Sequence, residues 1–273
     1  MLSHTRYGDV NRINLARTIL GKGRYWTTAY KLGNLLIDTG CAHTSHEFVG
    51  YLTGEQITYV LNTHTHEDHI GANARLQFQN PGLKILAHPL ALPVLSDPHG
   101  EQPLQPYRRL FWGNPEPSTA EPLDDGQIIH IAKFRFQVIY TPGHSPDHIC
   151  VYEPDRGWLF TGDLFVGGQD RALRQDYDIW GIIASLKTVA QLPISWLFPG
   201  SARVRENPSA VLNQKIAYLE DLGGRILSLH QKSWSINAIV RSLGRPKWVE
   251  FVTLGHFSRR HLVLSFLKDK SSS

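Results

Sequence analysis

Cysteine is scarce in this chain of 273 residues, which contains only Cys41 and Cys150. Two cysteines can form at most one disulfide, so a disulfide-rich scaffold is excluded and buried free thiols are expected. Long apolar runs are also missing, since no segment approaches the roughly 18 consecutive apolar residues of a membrane-spanning helix. Residues 1–20 mix charged and polar side chains with apolar ones and lack the apolar core of a signal peptide. We therefore expect a cytoplasmic protein without a membrane partner.

Charged residues make up only 19% of the chain and hydrophobic residues 41%, which is ordinary for a globular protein. The length allows one large domain, or one domain with an appendage. The net charge of +4 is unevenly distributed. Residues 1–201 contain 16 Lys and Arg and 19 Asp and Glu, whereas residues 202–273 contain 12 and 5. The basic character therefore belongs to the C-terminal part, which has a net charge of +7.

One segment concentrates the residue types that bind metal ions. Residues 64–69 hold three imidazoles and two carboxylates, directly after the apolar residues 57–61. A strand over this apolar run would end there and direct the polar side chains of the next turn to one point. Imidazole with carboxylate suits a borderline cation such as zinc, whereas magnesium or calcium favours oxygen ligands. The segment therefore predicts a metal site that uses His64, His66, Asp68 and His69.

Two later segments place further ligand-type side chains at strand ends. The alternating run of residues 134–140 is followed by a Pro-Gly turn that contains His144. The apolar run of residues 158–161 is followed by a glycine and then by Asp163. His144 and Asp163 are therefore candidates for the same site as the His-rich segment.

Together these motifs resemble the metallo-β-lactamase superfamily, whose signature is H-x-H-x-D-H followed by a strand-end His and a strand-end Asp. The resemblance covers residues 13–201 and implies an α+β fold, the four-layer αβ/βα sandwich. It also implies the ligands of two metal ions: His64, His66 and His144 for the first, Asp68 and His69 for the second, and Asp163 as a bridge. Asp38 follows the short apolar run of residues 35–37 and matches an acid that orients the ligands from behind.

The last ligand position departs from the superfamily pattern. Members usually carry a final His in a Pro-Gly-His turn, but here Pro199-Gly200 is followed by Ser201. A serine hydroxyl is a much poorer ligand than imidazole. The second metal site is therefore expected to be weakened or empty, or to be completed by water or by a histidine from elsewhere. His256 is the candidate substitute, although a His at a helix start more often caps or packs.

The resemblance implies a hydrolase with one or two zinc ions, or with iron, that uses a metal-activated hydroxide. Asp68 would orient this hydroxide or accept its proton, which makes it the predicted catalytic residue. The favoured small-molecule substrate is an ester, a lactone or a thioester of the glyoxalase II type, because no nuclease-specific insertion is visible between His144 and Ser201. Two alternatives stay open. One is a metal-dependent nuclease or RNA-processing hydrolase, and the other is a weakly catalytic metal-binding regulatory module that lost the second metal through Ser201.

The chain predicts two parts. Residues 1–206 are expected to form the catalytic domain, and residues 207–273 a basic, winged-helix-like helical extension similar to those of the β-lactamase-like protein 2 group. The first helix of the extension is expected to start at Asn207-Pro208 and to stop at Gly223-Gly224. The basic extension could contact nucleic acid, but packing on the sandwich or formation of a homodimer is favoured.

Prolines are concentrated between residues 93 and 122, which hold seven of them, so no long regular element fits there. The same segment contains Tyr107, Arg108, Arg109, Phe111 and Trp112. It is expected either to cover the metal site and offer these side chains to a substrate, or to pack its aromatic rings against the edge of the sandwich. On a later loop, Arg171, Arg174 and Tyr177 could also face a substrate, but a solvated loop is favoured.

Overall fold

The computed structural model of the chain describes residues 1–244 and 248–268. Two β-sheets pack face to face, and helices cover both outer faces. The first sheet contains seven strands in chain order: β1 (Leu2–Tyr7), β2 (Val10–Ile19), β3 (Lys22–Leu32), β4 (Leu35–Ile37), β5 (Tyr59–Leu61), β6 (Lys84–Ala87) and β7 (Glu121–Pro122). The pairs β1–β2, β2–β3 and β3–β4 are antiparallel. The pairs β4–β5, β5–β6 and β6–β7 are parallel.

The second sheet contains six strands in the order β14-β13-β11-β10-β9-β8, and a separate pair is formed by β12 and β15. Only β11 and β13 are parallel in this sheet. These strands are β8 (Ile128–Ile131), β9 (Phe134–Tyr140), β10 (Ile149–Glu153), β11 (Trp158–Gly162), β12 (Leu173–Arg174), β13 (Trp196–Pro199), β14 (Arg205–Glu206) and β15 (Phe257–Ser258).

Ten α-helices lie in the described part of the chain, and none of them is both long and apolar enough to cross a membrane. They are α1 (Ser45–Tyr51), α2 (Asn73–Gln79), α3 (Leu92–Ser96), α4 (Pro98–Glu101), α5 (Pro106–Trp112), α6 (Ile179–Ala190), α7 (Ser209–Gln231), α8 (Ile236–Ser242), α9 (Trp248–Val252) and α10 (Arg259–Leu267).

Alternation along the strands produces the four layers. In β4, Leu35 and Ile37 face the second sheet, whereas Leu36 faces α1 and α2 on the outer side. In β10, Val151 faces the first sheet, whereas Cys150 faces α6 and α7. Because successive side chains of a strand point to opposite faces, strands buried on both sides are apolar at every position. The expected αβ/βα sandwich is confirmed.

The strands that precede the predicted ligands end at one edge of the sandwich. The N–H of Asp38, just after β4, donates to the carbonyl of Leu61 at the end of β5, at 2.9 Å. Likewise the N–H of Gly200 after β13 donates to the carbonyl of Gly162 in β11 at 2.7 Å. A third bond, from the N–H of Ile149 to the carbonyl of Thr63 at 2.8 Å, joins the two sheets. The loops that carry the ligand-type residues are thereby fixed to one another.

The extension is helical, but its first helix corrects two details of the sequence prediction. It begins at Ser209, because Asn207 has a left-handed backbone with φ of 47° and Pro208 is the N-cap residue. It also continues unbroken through Gly223-Gly224 to Gln231. A Cβ at Gly223 would lie 2.7 Å from the ring of Phe266, so this glycine permits α10 to approach closely and does not end the helix.

The extension shares one core with the sandwich. Leu219 of α7 and Phe266 of α10 are fully buried in the same cluster as Leu159 of the second sheet. The pairing of Leu173 with Ser258 in the β12–β15 ladder adds a backbone connection. The core is thus continuous across residue 206, the predicted domain boundary. Residues 245–247 and 269–273 of the predicted extension lie outside the described residues.

The proline-rich segment forms three short helices, α3 to α5, and no long element. The ring of Phe111 in α5 stacks on Tyr25 of β3 with ring centroids 3.7 Å apart. The segment therefore packs an aromatic ring against the edge of the sandwich, which is one of the two expectations for it.

We predict that Leu219→Ala lowers the free energy of unfolding by about 2–5 kcal/mol, because it leaves a cavity in the shared core. Urea denaturation followed by tryptophan fluorescence and circular dichroism should show one transition, displaced as a whole. Leu254→Ala in the same extension is the control, since this side chain is 88% exposed, and it should change stability by no more than about 0.5 kcal/mol. Two separate transitions, only one of them displaced, would contradict a continuous core.

Candidate metal centre

Three imidazoles meet where the strands end. His64 and His66 lie in the loop after β5, and His144 lies in the turn between β9 and β10. The Nδ1 of His66 lies 3.0 Å from the Nε2 of His64 and 2.9 Å from the Nε2 of His144. All three side chains are buried. The structure therefore brings these three predicted ligands together, with one nitrogen of each ring directed to a common point.

A second group lies beside the first and shares His64 with it. The ligand atoms of His64, His69 and Asp163 lie within 4.8 Å of one another. Asp163 faces both groups, because its Oδ2 lies 3.6 Å from the Nε2 of His69 and 3.7 Å from the Nε2 of His144. The Oδ2 of Asp68 lies 3.9 Å from the Nε2 of His69. Five of the six predicted ligands thus belong to these two groups, and Asp68 lies beside them.

Asp38 fixes the orientation of two of these rings. Its Oδ1 accepts from the N–H of Thr63, and its Oδ2 accepts from the Thr63 hydroxyl, both at 2.8 Å, and lies 2.7 Å from the Nδ1 of His69. Because the Thr63 hydroxyl donates to Asp38, it is free to accept from the Nδ1 of His64, 3.0 Å away. Both rings are thereby held with Nδ1 protonated and Nε2 directed into the site.

Burial keeps most of the imidazoles neutral. It is the main cause that lowers the pKa of His64 and of His66 well below the usual value. It also lowers the pKa of His144 to about 4 and that of His148 to about 3. A neutral imidazole has a free lone pair, which is the form in which histidine binds a metal ion. His64, His66 and His144 can therefore offer their nitrogens as ligands at neutral pH.

His69 has the opposite balance. Burial acts to lower its pKa, but the carboxylates of Asp38, Asp68 and Asp163 outweigh this effect and raise the pKa well above the usual value. Burial acts to raise the pKa of Asp163, yet the neighbouring His69 holds it below the usual value. Burial raises the pKa of Asp68 to about 7. Three carboxylates around one imidazole make this side of the site attractive to a cation.

The donor set fits a divalent metal ion. Zinc binds imidazole nitrogen at about 2.0–2.1 Å, so two nitrogens of one tetrahedral shell lie about 3.3 Å apart. The Nδ1 of His66 lies 3.0 Å from the Nε2 of His64 and 2.9 Å from the Nε2 of His144, so small rotations of the rings would admit an ion. Imidazole nitrogen together with carboxylate oxygen suits zinc or iron. Calcium binds at sites made of oxygen atoms alone, so this donor set does not suit it.

Ser201 occupies the position where the superfamily pattern has a histidine. Its hydroxyl donates to the Oδ1 of Asp163 at 3.0 Å. His256 belongs to neither group of ligand-type side chains found among residues 1–244 and 248–268. Its Nδ1 lies 2.7 Å from the hydroxyl of Tyr107 instead. The position of His256, directly before β15, holds it next to α5, so the structure does not bring it to Ser201 as a substitute.

His148 also belongs to this site, although it was not among the residues predicted from the sequence. Its Nε2 accepts from the N–H of Asp163 at 3.2 Å, and its Nδ1 lies 2.8 Å from the hydroxyl of Thr141. The ring therefore positions the backbone of Asp163. A Cβ at Gly162 would lie 2.8 Å from the Nε2 of His148 and 2.6 Å from the hydroxyl of Thr63, so only glycine fits there. The sequence feature that could have identified His148 is its position four residues after His144.

Arg174 and Tyr177 are buried against the ligand-type side chains, so the favoured expectation of a solvated loop is wrong for these two residues. The Nη1 of Arg174 lies 3.2 Å from the Nε2 of His66, and its guanidinium also donates to both carboxylate oxygens of Asp176. The hydroxyl of Tyr177 lies 3.4 Å from the Nε2 of His144. Arg171, by contrast, lines a different cavity.

A buried ion pair connects the metal-ligand loop to α5. Arg108 donates through Nε to Oε1 of Glu67 at 2.7 Å and through Nη2 to its Oε2. Both side chains are nearly inaccessible to solvent. Gln102 accepts from the same guanidinium at 2.9 Å and donates to the carbonyl of Thr65 at 3.1 Å. The segment between α4 and α5 is thus attached to the loop that carries His64, His66 and Asp68.

A cavity of about 340 Å³ opens beside the cluster and is bordered by His66, Asp68, His144, Asp163 and Ser201. Its walls come from several parts of the chain and are largely apolar. Aromatic and aliphatic wall residues include Trp26, Trp112, Val166, Leu173 and Phe257. Small-molecule sites are typically concave and apolar, with a few polar groups in fixed positions. The metal-ligand side chains therefore face a space that a small molecule can enter.

Comparison with protein families gives one match that spans most of the sandwich. The family described as "Metallo-beta-lactamase superfamily" matches residues 29–201. Hydroxyacylglutathione hydrolase of Legionella pneumophila (strain Lens) is 30% identical over 173 residues, which are 62% of this chain and 57% of that protein. This chain thus spans less than two thirds of that relative's length.

Two solved structures share the fold. A metallo-beta-lactamase family protein from Thermus thermophilus superposes with a TM-score of 0.66 and 20% identity, over 95% of this chain and 91% of that one. The protein TTHA1623, solved in a di-iron-bound form, superposes with a TM-score of 0.54 and 28% identity, over 70% of this chain and 94% of that one. The first of these matches also includes most of the helical extension.

We predict that Arg108→Met lowers the free energy of unfolding by about 3–5 kcal/mol, because it leaves the Glu67 carboxylate buried without a partner. The double variant Glu67→Gln/Arg108→Met should be more stable than the single one, since no unpaired charge remains. Urea denaturation measures both. The exposed pair of Lys84 and Glu121 provides the control, because Glu121→Gln should cost less than about 1 kcal/mol. If Arg108→Met lowers the free energy of unfolding by no more than Glu121→Gln does, the result would contradict a buried ion pair.

Proposed function

Because the chain belongs to the metallo-beta-lactamase superfamily, we propose that it is a metal-dependent hydrolase of a small ester, thioester or lactone. The observation that carries this proposal is the placement of the metal-ligand cluster at the end of a largely apolar cavity of about 340 Å³. An acyl chain fits such walls, and its carbonyl carbon would then lie next to the cluster. The similarity to a hydroxyacylglutathione hydrolase supports a thioester among these substrates.

We propose one or two zinc ions, or iron, bound by His64, His66 and His144 on one side and by Asp68, His69 and Asp163 on the other. A bound ion would polarise the carbonyl oxygen of the substrate and lower the pKa of water to roughly 7. Two of the ligand side chains, His64 and His69, need little rearrangement, because their rings are already oriented by Asp38 and Thr63. The di-iron form of TTHA1623 supports iron as the alternative to zinc.

Asp68 is the residue that we assign to proton transfer. It borders the cavity and lies beside His69 and Asp163, so its carboxylate is close to where a water molecule would attack. Arg174 and Tyr177 border the same cavity and present a guanidinium and a hydroxyl to it. These two donors would hold the oxygen atoms of the substrate, whereas the apolar walls exclude competing water.

The two alternative functions have less support. A nuclease needs an open basic surface that leads to the metals, but the extension packs against the sandwich and adds the apolar Phe257 to the cavity wall. A weakly catalytic module is suggested only by Ser201, which contacts Asp163 by a hydrogen bond. A cytoplasmic location, a homodimer and contact of the extension with nucleic acid stay predictions.

We predict that Asp68→Asn lowers kcat on a reactive thioester or lactone by about 10² to 10⁴-fold, because it removes the group that accepts the proton. Activity should be measured on protein reconstituted with zinc or iron, beside the metal content from plasma mass spectrometry. Asp221→Asn on the exposed face of α7 is the matched control and should leave kcat unchanged. The fully metallated parent should also be tested on a panel of esters, thioesters and lactones and on a phosphodiester. If it hydrolyses only the phosphodiester, the proposed substrate class is wrong.

We also predict that Ser201→His raises the metal content towards two ions per chain, because imidazole is a better ligand than a hydroxyl. Ser201 is exposed at the cavity border, so the larger side chain has space. Plasma mass spectrometry on the variant and the parent, with protein concentration determined independently, measures the ratio. Equal ratios in the two proteins would remove the idea that serine weakens the second site.

A further inference from the structure

A second cavity, of about 430 Å³, lies on the other side of the loop that follows Asp163. It is formed where this loop meets α7, the end of α8 and the start of α10. Three arginines from three different segments border it: Arg171, Arg225 and Arg259. We call this space the arginine cavity. Its remaining border is mixed, with the apolar Leu222, Leu243 and Leu262 beside polar groups such as Tyr218 and Ser242.

The charge of the arginine cavity is only partly compensated. Arg259 is buried and its Nε donates to Glu250 at 2.8 Å. Asp170, also at the border, lies 2.6 Å from the Nζ of the buried Lys215. Among the described residues, Arg171 and Arg225 have no carboxylate at ion-pairing distance, and Arg171 donates only to the side chain of Gln169. Two guanidinium groups are thus left to face a ligand.

The loop that carries Arg171 is fixed in place. The Nζ of Lys215 donates to the carbonyl of Gly168 at 3.1 Å, and the hydroxyl of Tyr218 donates to the carbonyl of Asp170 at 3.2 Å. Both donors lie on α7, the helix that also carries Arg225. The backbones of the two arginines are therefore held in a constant relation. Planar guanidinium groups bind the oxygen atoms of a phosphate through paired hydrogen bonds, and both arginines border the same cavity.

We propose that the arginine cavity binds a phosphate group of a small-molecule ligand. A concave space brings the two uncompensated guanidinium groups to one place, where both attract a dianion. The cavity also adjoins the metal cavity, because Asp170 borders both. The phosphate belongs either to the leaving group of the substrate or to a separate ligand. The first case rests on the proposed hydrolase function, and the second does not.

Calorimetric titration of the full-length protein with pyrophosphate tests the proposal without any hydrolysis. The parent should bind one pyrophosphate per chain, and Arg171→Gln/Arg225→Gln should weaken binding at least about tenfold for each lost charge-assisted contact. Both arginines are exposed, so the variant should fold, which circular dichroism checks. Arg75→Gln/Lys232→Gln removes the same charge at exposed positions outside the cavity and should bind as the parent does. Absence of saturable binding by the parent, or equal weakening in both double variants, would overturn the proposal.

Kinetics then distinguish the two sources of the phosphate. If the substrate carries it, the arginine variant should raise KM for a thioester with a phosphate-bearing thiol and leave KM for one without phosphate unchanged, with kcat constant for both. If the phosphate belongs to a separate ligand, both KM values should match those of the parent while pyrophosphate binding is lost. An inactive parent that still binds pyrophosphate would refute the hydrolase function and not the phosphate site. Affinity that rises with RNA length, without competition by pyrophosphate, would instead show that nucleic acid is the ligand.

Discussion

The carboxylate of Asp38 is the interaction on which the metal centre depends. It accepts hydrogen bonds from the backbone N–H and the hydroxyl of Thr63, and it holds the ring of His69 through Nδ1. Its own backbone is left-handed, with φ of 59°, a conformation that Asp adopts more readily than most residues. One buried side chain therefore sets the proton positions of two rings before any ion arrives. A site organised in this way binds metal with little loss of conformational freedom.

The same constraint explains why charge is so unevenly arranged within a few ångströms. On one side, buried imidazoles lose their protons, and on the other, His69 is surrounded by carboxylates. A cation between the two sides accepts lone pairs from the first and balances negative charge from the second. The apolar cavity lies next to this polar cluster. Trp26 of β3 supplies one wall from the first sheet, and the other walls come from α5, the loop after Asp163 and β15, which the two sheets alone could not provide.

Much of this arrangement could be predicted from the sequence, because the ligand-type residues follow short apolar strands. Runs such as residues 35–37 and 158–161 are buried on both faces, and their ends meet at one edge of the sandwich. Short apolar runs therefore predicted the strands, and the ligand-type residues that follow these runs predicted the site. The pairing of Glu67 with Arg108 could not be found in this way, since the partners are distant in sequence and no local pattern joins them. Gly223 was misread as a helix end for a similar reason, because its neighbour Phe266 comes from another helix.

The short ladder between β12 and β15 has a consequence for the order in which the protein acquires its parts during synthesis. All six predicted ligands precede β12, whereas Phe257 of β15 comes close to the end of the described chain. A nascent chain that has left the ribosome only as far as the sandwich already contains every side chain for the metal ions. It still lacks one wall of the cavity. Every ligand-type side chain is therefore synthesised before Phe257, but the cavity is complete only when the extension has packed on the sandwich.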